Sequence, residues 1–442
     1  MKSIDKLKRL TGEDTGRHKE VKTEASPTSF PSRKTEIEEL RRRMEAVVSR
    51  ARDRGEAAAS AAKVQGNRQL GEVVPGEEIE NEYGRFFLAG SVLRRESFHG
   101  CYTIREAYEL DMAAAALLAG DPSIGGYCPA DALFLDTETT GLAGGTGTMA
   151  FLIGLGWLEE GRFHIRQILA RDFGEEKAAL AYLRDTAAQK KFLVTFNGKA
   201  FDINLLSARF ILNRLPSDLA ALPHLDLLHP SRRILGHRLE NCRLSTLEEE
   251  ILGVQREDDI PGWEIPQRYF DWLKRRDPRL LAAIFEHNRL DVISMATLTA
   301  HLGSILSARA DGRFARTDDY LEAARLLQKR CAKPGAEKIL DTFGEETCAE
   351  IALSSKKKLA QLCKQAGRMN EAARIWRQVI QCLPADFYSV SELAKWLEHG
   401  LKDYAGAKET IEQALAAAES ISAGEKEALN HRLRRLNAKL QK

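Results

Sequence analysis

Two carboxylates stand at the end of an apolar run in the segment Leu133–Leu142. Asp136 and Glu138 are two residues apart, and alternate residues of a β-strand point to the same face. Carboxylates held this close repel each other, and their burial is costly unless a positive charge lies between them. Because Mg²⁺ and Mn²⁺ prefer oxygen ligands, the pair predicts a divalent-metal site. The alternative is a solvated strand face, on which such a short motif also occurs without a metal.

Three more residues could complete such a site. Asp202 follows the segment Asn197–Phe201 at the predicted start of a helix, where the helix dipole favours a carboxylate even without a catalytic role. His287 and Asp291 are four residues apart on another predicted helix, so they share one face. A neutral imidazole can take a proton from water near neutral pH, although a lone histidine on a helix is usually structural.

Together these segments resemble the motifs of the DEDD superfamily of 3′–5′ exonucleases, which have a ribonuclease H-like fold. The strand pair is similar to the first motif, Asn197–Asp202 to the second and His287–Asp291 to the third. The resemblance implies that two ions, Mg²⁺ or Mn²⁺, take part in phosphodiester hydrolysis, held by four carboxylates: Asp136, Glu138, Asp202 and Asp291. It also implies that His287 orients or deprotonates the attacking water, and that single-stranded 3′ ends are the substrate.

The third motif departs from both branches of that superfamily. The His-type branch places its histidine five residues before the last aspartate, whereas the Tyr-type branch places a tyrosine four residues before it. Here His287 is four residues before Asp291, so its role as a general base stays open while the metal ligands are unaffected. Asp226, in His224–Leu228, resembles an accessory aspartate of the polymerase-associated proofreading branch.

The wider pattern resembles the YprB-like bacterial proteins, in which such a domain is joined to a C-terminal tetratricopeptide region. The segment Arg238–Glu248 adds to this resemblance. In the C-terminal part, Leu359-Ala360 recurs as Leu393-Ala394 after 34 residues, which is the period of tetratricopeptide repeats. Only about two repeats are visible, whereas such arrays usually need about three. The resemblance implies that this region binds a protein partner, and a plain stabilising helical domain is the alternative.

Several residues near the motifs are candidates for substrate contact. Phe201 could stack on bases, which is a sequence-tolerant contact to a single strand, and Lys199 could meet a phosphate. The predicted substrate-binding residues are Thr139, Asn197, Lys199 and Phe201. Four arginines are further candidates for phosphate contact, with exposed surface charge as the favoured interpretation: Arg232, Arg233, Arg238 and Arg243.

The elements that must position these residues form an α/β pattern. Predicted strands are Arg85–Leu93 with Gly100–Ile104 as its partner, Ala132–Thr137, Met149–Trp157, Phe163–Ala170, Phe192–Phe196 and Leu222–Leu228. Predicted helices are Arg105–Leu118, Glu175–Gln189, Phe201–Leu215, Leu244–Leu252 and Leu280–Leu302. Three neighbouring strands followed by alternating helices and strands predict a mixed sheet flanked by helices, with an all-α C-terminal domain.

Length and composition agree with several domains. The chain has 442 residues with 43% hydrophobic residues and a net charge of only +2, so any nucleic acid must be held by local patches. We expect a charged N-terminal arm at 1–75 with one amphipathic helix, a lead-in segment at 76–130, the exonuclease domain at 131–305 and helical repeats at 315–442. The seven cysteines are scattered, which predicts free thiols and no disulfides. The sequence shows neither a signal peptide nor an apolar run of membrane length, so we expect a soluble cytoplasmic protein.

Two rival functions remain open at this level. The fold could serve as a non-catalytic nucleic-acid-binding scaffold whose helical repeats hold a partner, although all four carboxylates are present. A structure-selective endonuclease would use the same metal chemistry without requiring a strand end. The glycine-rich loop Gly141–Thr148 lacks the Gly-Lys-Ser/Thr ending of a P-loop, so it is predicted to be mobile or to contact substrate.

Overall fold

The computed structural model describes residues 70–141, 147–308, 315–330, 332–343, 351–417 and 421–441. The predicted N-terminal arm up to residue 69, and residues 142–146 of the glycine-rich loop, lie outside this range. Within it, the predicted mixed sheet flanked by helices and the helical C-terminal region are both confirmed.

Within the described part of the chain, seven strands form the main sheet, in the order β1-β2-β7-β6-β5-β8-β9. They are β1 (Gly76–Asn81), β2 (Gly84–Arg94), β5 (Ala132–Thr139), β6 (Ala150–Glu159), β7 (Arg162–Leu169), β8 (Phe192–Thr195) and β9 (His224–Asp226). A separate short hairpin pairs β3 (Phe98–His99) with β4 (Tyr102–Thr103). The first five strands of the order are antiparallel to their neighbours, whereas β5, β8 and β9 are mutually parallel.

The hairpin between β6 and β7 turns at Glu160 and Gly161. Both residues have positive φ, 46° and 74°, which is the requirement of the tight turn that matches strand twist. The predicted partner of strand β2 was wrong, because β2 pairs with β1 and β7 and the Gly100–Ile104 segment contributes β4 to the small hairpin. Strands β1 and β2 are joined by a short connection, and strands that follow each other in the chain commonly pair.

Helices flank both faces of the sheet, and the C-terminal part of the chain is formed by helices without strands in its described residues. Those of the sheet domain are α1 (Ile104–Tyr108), α2 (Met112–Ala119), α3 (Glu176–Ala187), α4 (Asp202–Leu212), α5 (Leu228–Ile234), α6 (Leu244–Leu247), α7 (Ile265–Arg275) and α8 (Arg279–Leu306). The C-terminal helices are α9 (Thr317–Lys329), α10 (Lys333–Asp341), α11 (Leu353–Gln365), α12 (Met369–Cys382), α13 (Phe387–Lys395), α14 (Tyr404–Ala416) and α15 (Ala423–Leu440).

Three further predicted elements differ from the structure. The helix Arg105–Leu118 is divided in two, because the Asp111 side chain accepts a hydrogen bond from the Ala113 amide and starts a new helix. The strand Leu222–Leu228 is shorter, since α5 begins at Leu228. Helix Leu244–Leu252 changes after its first turn into a π-helical turn, Glu248–Leu252.

Two glycines allow helix α8 to pack directly onto strand β6. A Cβ atom at Gly154 would lie 2.3 Å from Oδ1 of Asn288, and one at Gly156 would lie 2.5 Å from Cγ1 of Val292. Neither distance is tolerable for a side chain, so glycine is what lets the helix cross this face. The close crossing places the His287–Asp291 turn of α8 over the end of β5.

The C-terminal helices share a hydrophobic core with the sheet domain. Leu298 and Leu302 of α8 belong to the same buried cluster as Leu321 of α9. An ion pair reinforces this contact, with Nε of Arg238 3.0 Å from Oδ1 of the fully buried Asp319. The helical region is therefore packed on the sheet domain through a continuous core.

The described helices and cysteines bear on two expectations from composition. Among the described helices, none combines the length and apolarity needed to cross a membrane. Cys101, Cys128, Cys242 and Cys382 are free thiols, in agreement with the scattered spacing of the cysteines.

Candidate active site

Three elements bring the predicted ligands to one edge of the sheet. Strand β5 carries Asp136 and Glu138, and helix α4, which begins at Asp202, is the next helix after strand β8. Because β5 and β8 are parallel, their carboxyl ends lie at the same edge. Helix α8 crosses this edge and supplies His287 and Asp291. The structure thus gathers five residues from segments that are far apart in the chain.

Asp136 is held by a buried amide. Nδ2 of Asn288 donates a hydrogen bond of 2.9 Å to Oδ2 of Asp136, and Oδ1 of Asn288 accepts one of 2.9 Å from Nε2 of Gln167. Asn288 is fully buried in the space that Gly154 leaves open. The amide therefore fixes the orientation of the Asp136 carboxylate from within the core.

Asp202 is oriented by a hydroxyl from strand β5. Oγ1 of Thr137 donates to Oδ1 of Asp202. Burial raises the pKa of Asp202 to about 6, although the Thr137 hydrogen bond lowers it. The residue between the paired carboxylates of β5 thus binds the carboxylate that comes from α4.

The loop before Asp202 is shaped by Asp226 at the end of β9. The Asp226 carboxylate accepts hydrogen bonds from the backbone amides of Asn197 at 2.8 Å, Lys199 at 3.1 Å and Leu228 at 3.1 Å. Asn197 has a left-handed backbone with φ of 66°, which asparagine tolerates better than most residues. The resemblance pointed to Asp226 as an accessory aspartate, and its contacts make it the residue that holds this loop.

His287 lies between two of the carboxylates. Its Nε2 atom is 3.9 Å from Oε1 of Glu138 and 3.7 Å from Oδ2 of Asp291. One ligand atom from each of the three residues can be chosen so that all lie within 4.8 Å of one another. Burial lowers the pKa of His287, but the carboxylates of Asp291, Glu138 and Asp259 outweigh it and the net pKa is raised.

A buried arginine, Arg256, forms an ion pair with Asp291. Nη2 of Arg256 donates to Oδ1 of Asp291 and lies 2.5 Å from Oε1 of Glu248. Glu248 in turn accepts a hydrogen bond from Ser294, whose Oγ is 2.6 Å from Nε2 of His99 in the β3–β4 hairpin. A chain of buried polar contacts therefore connects the small hairpin to the carboxylate cluster.

The cluster holds more negative charge than its own cations offset. Burial raises the pKa of Asp136 well above its ordinary value, and the carboxylates of Asp291, Glu138 and Asp202 raise it further. Burial likewise raises the pKa of Glu138 to about 8, even though His287 lowers it. A divalent cation with oxygen ligands would offset this charge, so the donor set fits Mg²⁺ or Mn²⁺.

The predicted substrate residues lie around the cluster. Oγ1 of Thr139 donates to the Gly141 carbonyl at 2.9 Å, and the side chains of Lys199 and Phe201 are exposed, with Phe201 58% exposed beside Asp202. Their contact with substrate stays a prediction, as does that of Asn197.

The four arginines proposed for phosphate contact do not behave alike. Arg232, Arg233 and Arg243 are exposed. Both interpretations offered for Arg238, a phosphate contact or an exposed charge, were wrong, because its side chain is 8% exposed and pairs with Asp319. The buried carboxylate of Asp319, 81 residues away in the chain, is the reason.

Sequence reasoning missed the residues that surround the predicted ligands. Asn288 could have been noticed beside His287, and Thr137 between the paired carboxylates. Arg256 and Asp259 fall in an Arg-Glu-Asp-Asp run that resembles ordinary surface charge. The residues found only in the structure are Thr137, Glu248, Arg256, Asp259 and Asn288.

Comparison with known proteins shows which family the chain belongs to. Residues 133–303 match the family RNase_H_2 of the RNase_H superfamily, a range that includes all five predicted catalytic residues. The chain is also 33% identical over 347 residues to the Bacillus subtilis (strain 168) protein described as "Uncharacterized protein YprB", covering 77% of this chain and 83% of that protein. The chain belongs to the YprB family.

Membership of the RNase_H superfamily confirms the ribonuclease H-like fold predicted from the motifs. In this YprB family member, that fold indicates a nuclease, a hydrolase that binds nucleic acid, and such nucleases typically use divalent metals. The carboxylate and histidine cluster lies inside the matched range.

Proposed function

We propose that the protein is a divalent-metal-dependent 3′–5′ exonuclease that hydrolyses phosphodiester bonds of single-stranded nucleic acid with two ions, Mg²⁺ or Mn²⁺. The observation that carries the proposal is the cluster of four carboxylates with excess negative charge, Asp136, Glu138, Asp202 and Asp291. The order and spacing of these residues along the chain support the DEDD type. The metal ligands in this proposal are these four carboxylates.

Bound ions would supply Lewis-acid activation of water and stabilisation of the departing 3′ oxygen. His287 keeps Nε2 on the side of Glu138 and Asp291, where it can accept a proton from the attacking water. Asn288 and Thr137 hold two of the carboxylates in fixed orientations, so less reorganisation is needed at the moment of reaction.

Substrate contact is assigned to the exposed residues beside the cluster. Phe201, more than half exposed next to Asp202, would stack on a base near the 3′ end. Lys199 is exposed in the same loop and would pair with a phosphate, while Thr139 and Asn197 would contact the end nucleotide. We further propose that the C-terminal helices bind a protein partner in the manner of tetratricopeptide repeats.

The test is degradation of 5′-labelled single-stranded DNA and RNA oligonucleotides with Mg²⁺ or Mn²⁺. We expect a ladder of products shortened from the 3′ end, and a loss of rate on the order of 10³-fold in Asp136→Asn and Asp291→Asn, because each change removes a charge on which the ions depend. Asp258→Asn is the matched control, since Asp258 is exposed and is the chain neighbour of Asp259, which contacts His287. Wild-type protein without activity, or variants as active as the control, would refute the proposal.

Two alternatives are separated in the same set of measurements. Cleavage of circular single strands would indicate an endonuclease, because an exonuclease needs an end. Arg256 forms an ion pair with Asp291 and so neutralises one proposed metal ligand without a metal. This contact favours the non-catalytic scaffold. Calorimetric titration with Mn²⁺ decides this point, and absence of binding would support the scaffold.

A further inference from the structure

The Nδ1 atom of His287 contacts an aspartate that belongs to none of the three motifs. Nδ1 of His287 lies 2.7 Å from Oδ1 of Asp259, a residue of the loop between the π-helical turn and helix α7. The two side chains are 16% and 26% exposed. The opposite ring atom, Nε2, faces Glu138 and Asp291.

Nδ1 of His287 has a second neighbour, Nη1 of Arg256 at 3.3 Å. The shorter contact, with Asp259, decides where the ring proton lies. An ionised carboxylate can only accept hydrogen bonds, so a separation of 2.7 Å requires that Nδ1 of His287 donates to Asp259. In the neutral ring, Nε2 is then left unprotonated on the side of the carboxylate cluster. That is the tautomer a general base needs.

Arg256 holds the aspartate in this orientation. Its Nη1 donates to Oδ2 of Asp259 at 3.2 Å, while its Nη2 binds Asp291 and Glu248. The Arg256 side chain is 8% exposed, so the guanidinium has little freedom to move. Each oxygen of the Asp259 carboxylate therefore has its own partner, one on the arginine and one on the histidine.

We infer that Asp259 is the positioning residue for His287, fixing its ring with Nε2 toward Glu138 and Asp291. The inference rests on the nuclease function proposed above and deepens it. It also gives a physical reason for the four-residue spacing between His287 and Asp291, because the ring is placed by a partner outside the motif.

The decisive substitution is Asp259→Asn. Nη1 of Arg256 is a donor, so it will select the amide oxygen at the Oδ2 position and leave the amide nitrogen facing Nδ1 of His287. Nδ1 must then accept, and the neutral ring carries its proton on Nε2 instead. The matched control is again Asp258→Asn, because Asp258 is exposed with φ of 53°, a conformation that asparagine adopts readily.

The tautomer is read directly by ¹H–¹⁵N correlation spectra of full-length protein labelled with ¹⁵N-histidine, recorded at rising pH until the ring is neutral. The spectrum of His287→Ala assigns the signal among the ten histidines. We expect protonation at Nδ1 in wild type and in Asp258→Asn, and at Nε2 in Asp259→Asn. A wild-type ring protonated at Nε2, or an unchanged tautomer in Asp259→Asn, would overturn the inference.

Kinetics on 5′-labelled oligonucleotides supply the second measurement. Asp259→Asn should lower kcat by about 10²-fold or more, the usual contribution of a general base, and change KM by less than about twofold. In the His287→Ala background the same change should cost nothing further, because Asp259 acts through His287. An additive loss in the double variant would contradict this role. If wild type lacks activity the proposed function fails, and the spectra alone still decide the pairing.

Discussion

Replacing Glu138 by glutamine should stabilise the metal-free protein at neutral pH while removing its activity. The pKa of Glu138 is raised from 4.5 to about 8, so between these values the folded state binds a proton that the unfolded chain releases. The free energy of unfolding therefore falls as pH rises through this window. Glutamine has nearly the same shape and no charge, so the variant lacks this dependence.

The size of the effect follows from the width of the window. Each pH unit within it lowers the free energy of unfolding by about 1.4 kcal/mol. Between pH 5 and pH 7.5, Glu138→Gln should therefore gain up to about 3 kcal/mol relative to wild type. Neighbouring carboxylates titrate together with Glu138 and absorb part of this gain. For a domain of this size, 1 kcal/mol corresponds to a shift in Tm of about 2–4 °C.

Thermal unfolding in EDTA at several pH values is the assay. Glu77→Gln is the control, since Glu77 is exposed on strand β1. Saturating Mn²⁺ should reduce the pH dependence of wild type, because the ion offsets the same negative charge, and should stabilise Glu138→Gln less. If wild type and Glu138→Gln change in parallel between pH 5 and pH 7.5, the raised pKa and the uncompensated charge are both wrong.

Three more outcomes are expected. Asn288→Ala should lower the free energy of unfolding by about 1–3 kcal/mol and weaken Mn²⁺ binding, because Asp136 loses its buried donor; unchanged calorimetry would contradict this. Gly154→Ala should likewise lower Tm and activity, since its Cβ would meet Asn288 at 2.3 Å, and a melt identical to wild type would disprove the close packing. Although burial raises the pKa of Glu398, Arg435 and Lys439 lower it to about 2, so Glu398→Gln should cost about 2 kcal/mol at pH 7. This loss of stability should vanish as pH falls toward 2. Because Arg435 and Lys439 belong to helix α15, proteolysis of that helix in Glu398→Gln should be faster than in wild type at pH 7. A loss of stability that does not depend on pH would contradict the ion pairs.

Much of the sheet could be predicted because its signals are local. Apolar runs with turn residues between them located β5 to β8 within a few residues, and the Glu160-Gly161 turn follows from the backbone freedom of glycine. The errors lie where pairing is not local. The pairing of β2 with the distant strand β7 depends on which segments meet in space, and no single stretch of sequence contains that information.

The candidate site divides in the same way. By itself the sequence determined which carboxylates and which histidine could do metal chemistry, because their types, order and spacing are properties of the chain. Only the tertiary structure decided what orients them. Asn288 reaches Asp136 across 152 residues, and Asp259 reaches His287 across 28. Contacts of this kind arise when a loop or helix packs over a strand end, and the periodicity of a segment reports its own burial but not its neighbour.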